Sequence, residues 1–175
     1  MTAPAQYVLL QYGSDPLNFQ FEDPEDRLAF SVSKVVQVPT LVVQLSRQDE
    51  WALQYPDIMG PRNAFFYFGP SNSLGQVAYG NAERVGMAYY LRKKKDASNS
   101  RYFFAQSGKE FKWKSVSSQR MELWDSRSIY AVWEKAQPGS EHDAQITLSD
   151  TGLALVTEVL TTLTLNLAAK RLDLW

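Results

Sequence analysis

The residues of this chain that could do chemistry are few, and their spacing narrows them further. There is one histidine, His142, in the run Ser140-Glu141-His142-Asp143. An imidazole between two carboxylates could act as a general base oriented by Asp143, or share a metal with Glu141. Neighbours in sequence on a loop rarely converge on one point, however, and Gly139 marks an exposed turn. The run reads as a solvated loop. A serine triad would have to use this histidine, and no Gly-x-Ser-x-Gly elbow is present. With no cysteine in 175 residues, thiolate nucleophiles, disulfides and thiolate metal sites are excluded. No metal site and no cofactor are expected. The run Gly80-Asn81-Ala82-Glu83-Arg84-Val85-Gly86 lacks both the Lys-Ser/Thr of a phosphate loop and the spacing of a dinucleotide fingerprint.

Two charged features remain. Arg92-Lys93-Lys94-Lys95 is the sharpest basic cluster, and it could hold the phosphates of an anionic lipid at about 1 kcal/mol per residue. It equally fits a solvated strand end running into Asp96-Ala97-Ser98-Asn99-Ser100. Glu158 lies within the apolar segment of residues 153–169, beside Thr157, Thr161 and Thr162, whose hydroxyls could partner it. A carboxyl enclosed there would have its charged form disfavoured, which is one route to acid catalysis. Among the aromatics, Tyr79, Tyr89, Tyr90, Trp113, Trp124 and Trp133 could line an apolar pocket, or pack against a central element.

The elements that would carry these groups are mostly strands. Aromatic residues make up 13% of the chain, and turn residues recur at intervals of roughly 8–12, the spacing of all-β folds. Strands are expected over residues 7–11 and 18–22, with a turn at Asp23-Pro24-Glu25-Asp26. Leu28, Phe30 and Val32 share a face by their period of two. Residues 40–45 follow, and Trp51, Leu53 and Tyr55 alternate again. Residues 64–68 are apolar on both faces, as for a strand covered on both sides. Val85, Met87, Tyr89 and Leu91 alternate over the next stretch. Residues 101–105 and 109–114 flank Ser107-Gly108 as a hairpin, with Phe111 and Trp113 on one face and Lys112 and Lys114 on the other. Residues 121–124, 129–133 and 145–148 complete the strands, with Pro138-Gly139 in a loop.

The last segment has another character. Leu153, Leu155, Val156, Val159, Leu160, Leu163, Leu165 and Leu167 fall on every side of a helix near residues 152–170. Asp150 or Thr151 could cap it, and Lys170 with Arg171 would suit its C-terminal dipole. A helix apolar all round belongs inside a protein or a bilayer. Seventeen residues interrupted by Glu158 and Asn166 suit the protein interior better, so no transmembrane span is expected.

One stretch of the chain carries a family likeness. It comprises Arg101-Tyr102-Phe103-Phe104, Gly108-Lys109-Glu110-Phe111-Lys112-Trp113-Lys114, Met121-Glu122-Leu123, Tyr130-Ala131-Val132-Trp133 and the final helix. Together they resemble a fungal domain family of unknown function placed near the Tubby C-terminal-like group, which includes the phospholipid scramblases and the plant LURP-one-related proteins. The likeness spans residues 64–171. It implies a mainly β fold, an antiparallel barrel of about twelve strands enclosing the hydrophobic C-terminal helix, and no particular reaction. The chain departs from Tubby proteins in lacking a repeated basic pattern for a phosphoinositide headgroup. It departs from scramblases in lacking a cysteine-rich palmitoylation segment and a Pro-rich arm.

The expectation is therefore a single domain over residues 1–175. The N-terminus shows no secretory signal, which points to the cytoplasm. A formal net charge of −1 gives no global pull toward nucleic acid. The leading expectation is a non-catalytic binding or interaction domain for an anionic lipid or a protein partner, with Arg92, Lys93, Lys94 and Lys95 as its ligand contacts. The alternative is a small cofactor-independent enzyme, a cyclase or isomerase acting on an apolar metabolite, with Glu158 or His142 as its catalytic group.

Overall fold

A computed structural model describes residues 5–175. Residues 1–4, where no leader is expected, lie outside the described residues. Short runs of alternating polarity separated by turn residues give strands with one buried face. The first half of the chain supplies β1 (Gln6–Asp15), β2 (Asn18–Glu22), β3 (Leu28–Val36), β4 (Val42–Arg47), β5 (Asn63–Tyr67), β6 (Gln76–Tyr79) and β7 (Val85–Gly86). The second half supplies β8 (Arg101–Phe104), β9 (Glu110–Ser117), β10 (Arg120–Trp124), β11 (Ile129–Lys135) and β12 (Ala144–Ser149). Among the described residues these twelve form one antiparallel sheet in the order β7-β6-β5-β4-β3-β2-β1-β12-β11-β10-β9-β8.

The sheet curls around the C-terminal helix but does not close by its own hydrogen bonds. Its two ends, β7 and β8, are not paired with each other. The seam is filled by a single helical turn, α2 (Met87–Tyr90), which touches β6, β7 and β8. Beyond it, Arg92 and Tyr102 exchange backbone hydrogen bonds of 2.8 and 2.7 Å. The barrel is thus sealed by a plug at one seam.

The helix at its centre is broken once. Ser149 caps α3 (Asp150–Ala154) by accepting the Gly152 N–H on its Oγ at 3.0 Å, one residue before the cap expected at Asp150 or Thr151. The chain kinks at Leu155 and resumes as α4 (Val156–Arg171). Residues 156–166 are all buried, because the inward faces of the strands meet the helix on every side. The hydrophobic effect drives this enclosure, with each large apolar side chain contributing about 1.5–3 kcal/mol. Among the described residues, no helix is long and apolar enough to cross a membrane.

Four expected strand patterns are altered. The pairing of β2 with β3 shifts register between Phe21 and Glu22, so Ala29 joins Phe30 and Val32 inside while Leu28 is exposed. Trp51 lies on α1 (Asp49–Ala52), a turn of helix, with its indole buried and Leu53 left in solvent. Met87 and Leu91 are both fully buried, but across the single turn α2 rather than along a strand. On β5 only one face meets the core. The other carries half-exposed Phe65 and Tyr67, the latter covered by the Arg84 guanidinium 3.8 Å from its ring centre.

Candidate functional site

The enclosed helix leaves its two ends as the places where chemistry can reach solvent. At the N-terminal end of α4, Glu158 sits in the first turn and is 6% exposed. Its Oε1 accepts the backbone N–H of Gln106, in the β8–β9 turn, at 2.8 Å. The neighbouring threonines serve the helix backbone instead of this carboxyl. Thr161 donates to the Thr157 carbonyl at 2.6 Å and Thr162 to the Glu158 carbonyl at 2.9 Å. Burial pushes the Glu158 carboxyl above the usual carboxylate range, and the Gln106 N–H only partly opposes this.

Glu158 borders a cavity of about 260 Å³ whose other walls are Met59, Gly60, Tyr79, Gln106, Ser107 and Leu155. Four stretches of chain meet here, and specific bonds fix them. Arg47 Nη1 on β4 donates to Thr157 Oγ1 at 3.0 Å and to the Gly60 carbonyl at 3.3 Å, tying the loop after α1 to the helix. The Met59 N–H donates to the Ala154 carbonyl at 2.9 Å. Tyr79 ends β6 with its ring inside the core. Burial, and behind it the nearby Glu158 charge, push the Tyr79 and Tyr90 phenols up, so both stay neutral.

At the C-terminal end of α4 the character reverses. A groove of about 480 Å³ is lined by Lys93, Arg101 and Lys170, together with serine hydroxyls and Asn166, and no side-chain carboxylate contributes to its wall. Lys170 Nζ is held 2.6 Å from Ser115 Oγ. Arg101 donates to the Leu91 carbonyl at 3.2 Å, and its guanidinium lies 3.9 Å from the Trp175 ring centre. Trp175 in turn donates its indole N–H to Asn166 Oδ1 at 3.0 Å. Burial lowers the pKa of both Arg101 and Lys170. An adjoining cleft of about 690 Å³ shares Lys170 and adds Lys135, Arg171 and Asp143.

The basic cluster expected from the sequence is dispersed by this geometry. Arg92 lies against aromatic rings, 4.4 Å from the Phe104 centre. Lys94 pairs with Glu110 at 2.5 Å and covers the Tyr102 ring. Lys95 is exposed in the loop that follows, and only Lys93 reaches the groove. Arg101 and Lys170 are its partners there, both beyond the basic run in sequence. The outer face of β8–β10 also holds a groove, but carboxylates share its wall: Lys109 pairs with Asp125 at 2.8 Å, and Glu110 lines it together with Lys112 and Lys114.

His142 is half-buried with its ring edge toward Tyr12, 6.5 Å between centres. Asp143 turns away from it, accepting the Gly13 N–H at 2.7 Å. Among the described residues no three His, Asp or Glu side chains gather as a metal would require. Of the aromatics, Tyr79 reaches the Glu158 cavity, whereas Trp113 and Trp133 pack inside and Tyr89 is in solvent.

The class defined here is a curled antiparallel sheet filled by a buried helix, with an acidic cavity at one end of that helix and a basic groove at the other. The chain is similar to a solved protein from Arabidopsis thaliana, with 13% identity, a TM-score of 0.43, and coverage of 97% of this chain and 93% of that one. No known protein family matches the sequence, and no curated relative is found.

Proposed function

We propose that the chain is a non-catalytic binding module of the Tubby-like kind, working in the cytoplasm. Its ligand is an anionic lipid headgroup taken at the basic groove beside the C-terminal end of α4. The carrying observation is that Lys93, Arg101 and Lys170 line one groove without a carboxylate side chain among them. Three unmatched cations repel one another, and an incoming phosphate relieves that repulsion while accepting charge-assisted hydrogen bonds. The surrounding hydroxyls of Ser98, Ser115, Ser117 and Ser118 suit the same oxygens. Kinship with the fungal family and the LURP-one-related group belongs to this proposal and rests on residues 101–104, 108–114, 121–123 and 130–133 and on the final helix. Co-sedimentation with phosphatidylcholine vesicles containing a phosphoinositide tests it. Wild type is expected to bind and Lys93→Ala/Lys170→Ala to bind several-fold less, whereas equal binding by both proteins refutes the lipid reading. Binding to an acidic peptide but not to vesicles would favour a protein partner instead.

A second reading is favoured by a separate observation, the cavity bordered by Glu158 and Tyr79. A carboxyl whose charged form burial disfavours, beside a phenol, can exchange protons with an uncharged substrate, as a cyclase or isomerase without a cofactor requires. Turnover that is abolished in Glu158→Gln would support it.

A further inference from the structure

We propose that the cavity at the N-terminal end of α4 is a binding site for a small uncharged molecule bearing an acceptor oxygen, such as a cyclic ketone. Its oxygen is held by Glu158 and Tyr79, and its hydrocarbon part lies against Met59 and Leu155. This deepens the second reading by naming the ligand class, but it concerns binding and stands whether or not turnover occurs.

Four features carry it. First, Glu158 is almost wholly buried, yet only Oε1 is satisfied. Among the described residues no donor reaches Oε2, and no cation lies within ion-pair distance. Its second oxygen is thus left for an oxygen of a guest in the cavity that Glu158 lines. Second, Tyr79 is 7% exposed and its hydroxyl makes no hydrogen bond to the described residues, although the ring borders the cavity. Two polar groups on one small chamber thus lack partners.

Third, Gly60 keeps the chamber open. Its φ is +93°, and a Cβ added there would stand 2.5 Å from the Tyr79 hydroxyl. Only glycine suits that position on both counts. Fourth, the charges around the cavity select a neutral guest. The groups facing Glu158 are Tyr79 from β6, Tyr90 from α2 and Arg47 from β4. The two phenols are uncharged, and Arg47 Nη1 is committed to Thr157 and the Gly60 carbonyl. No lysine, arginine or histidine lines the cavity among the described residues, so an anionic guest meets no cation on its wall. A cationic guest would require Glu158 to ionise in an apolar setting. The volume of about 260 Å³ equals that of roughly nine waters at about 30 Å³ each, enough for a guest of similar heavy-atom count.

The test uses the full chain labelled at its methionine methyls with carbon-13, titrated with cyclohexanone, cyclohexanecarboxylate and cyclohexylammonium. The Met59 methyl is expected to shift with cyclohexanone and not with the two ions, while Met121, at the far end of the helix, stays fixed. Tyr79→Phe preserves the ring and should weaken the interaction several-fold. Glu158→Gln keeps a donor and should bind as wild type does at low pH. Its binding should then persist at higher pH, where wild type loses affinity as its carboxyl ionises. Gly60→Ala should abolish the shift. Absence of a Met59 shift in wild type, stronger binding of either ion, or undiminished binding in both Tyr79→Phe and Glu158→Leu would overturn the proposal.

Discussion

The indole N–H of Trp113 on β9 donates to the hydroxyl of Thr162 on α4 at 2.8 Å, with neither residue exposed. Thr162 donates its own hydroxyl hydrogen, shared between the Glu158 and Val159 carbonyls. The bond therefore joins the sheet to the helix inside the core. Thr162→Val keeps the shape but leaves the indole N–H without a partner, and it is expected to destabilise the fold by about 1–3 kcal/mol. Adding Trp113→Phe removes the orphaned donor but also opens space. The double variant should then cost less than the two single changes added together. Urea unfolding followed by circular dichroism measures all three proteins.

Glycines give a second contrast. A Cβ on Gly152, in α3, would stand 2.1 Å from the Tyr130 carbonyl oxygen on β11, and backbone cannot give way as a side chain would. Gly152→Ala should lower the yield of folded protein or cost several kcal/mol by forcing α3 off the sheet. Gly86 has an extended backbone at φ −60° and ψ 140°, with open space for 4 Å around the point where a Cβ would stand. Gly86→Ala should instead stabilise by about 0.4–1 kcal/mol through the unfolded chain. Thermal melts of the two variants separate close packing from backbone freedom.

How far the sequence discloses this arrangement depends on which residues are asked. Phe111 and Trp113 against Lys112 and Lys114 declare their faces, since alternation along a strand is local information. Met87 and Leu91 do not, because residues four apart share a face in a strand and on a helical turn alike. Leu28 departs from its expected face through a register shift that only the pairing of β2 with β3 determines. Glu158 stands out as an acid inside an apolar helix. Its companions Met59, Gly60 and Tyr79 come from distant strands and loops, and no local signal announces them. The four residues of the basic run are spread over different surroundings for the opposite reason. Lys93 and Lys94 are adjacent, so they face different surroundings.

The buried carboxyl makes stability depend on pH in a defined direction. Glu158 titrates near the ordinary glutamate value in the unfolded chain and above it when folded. Between those two values the folded protein holds more protons than the unfolded one, so stability falls as pH rises. It is fully present below the unfolded value and lost as pH passes through the folded one. Glu158→Gln removes this term. The variant should show a flatter dependence of unfolding free energy on pH above about 4.5, and gain on wild type as pH approaches neutrality. Denaturant curves collected between about pH 4 and about pH 8 check the slope, and parallel curves for the two proteins would count against a carboxyl whose charged form burial disfavours.

Lys93 and Lys94 should contribute unequally to binding anionic vesicles, although they are neighbours. Lys94 is neutralised by Glu110 at 2.5 Å and lies against Tyr102. Lys93 shares the groove with Arg101 and Lys170. A free lysine near an anionic surface is worth about 1 kcal/mol, or roughly fivefold in affinity. Lys93→Ala should therefore weaken binding to phosphoinositide vesicles by about that factor. Lys94→Ala frees the Glu110 carboxylate and has its effect mainly through that repulsion, so the double change Lys94→Ala/Glu110→Gln should bind as wild type does. Raising the salt concentration should compress the difference between Lys93→Ala and wild type, since exposed charges are screened over about 8 Å at physiological ionic strength. Equal losses from Lys93→Ala and Lys94→Ala/Glu110→Gln would mean that the surface is read as a diffuse patch, and the groove would lose its part in recognition.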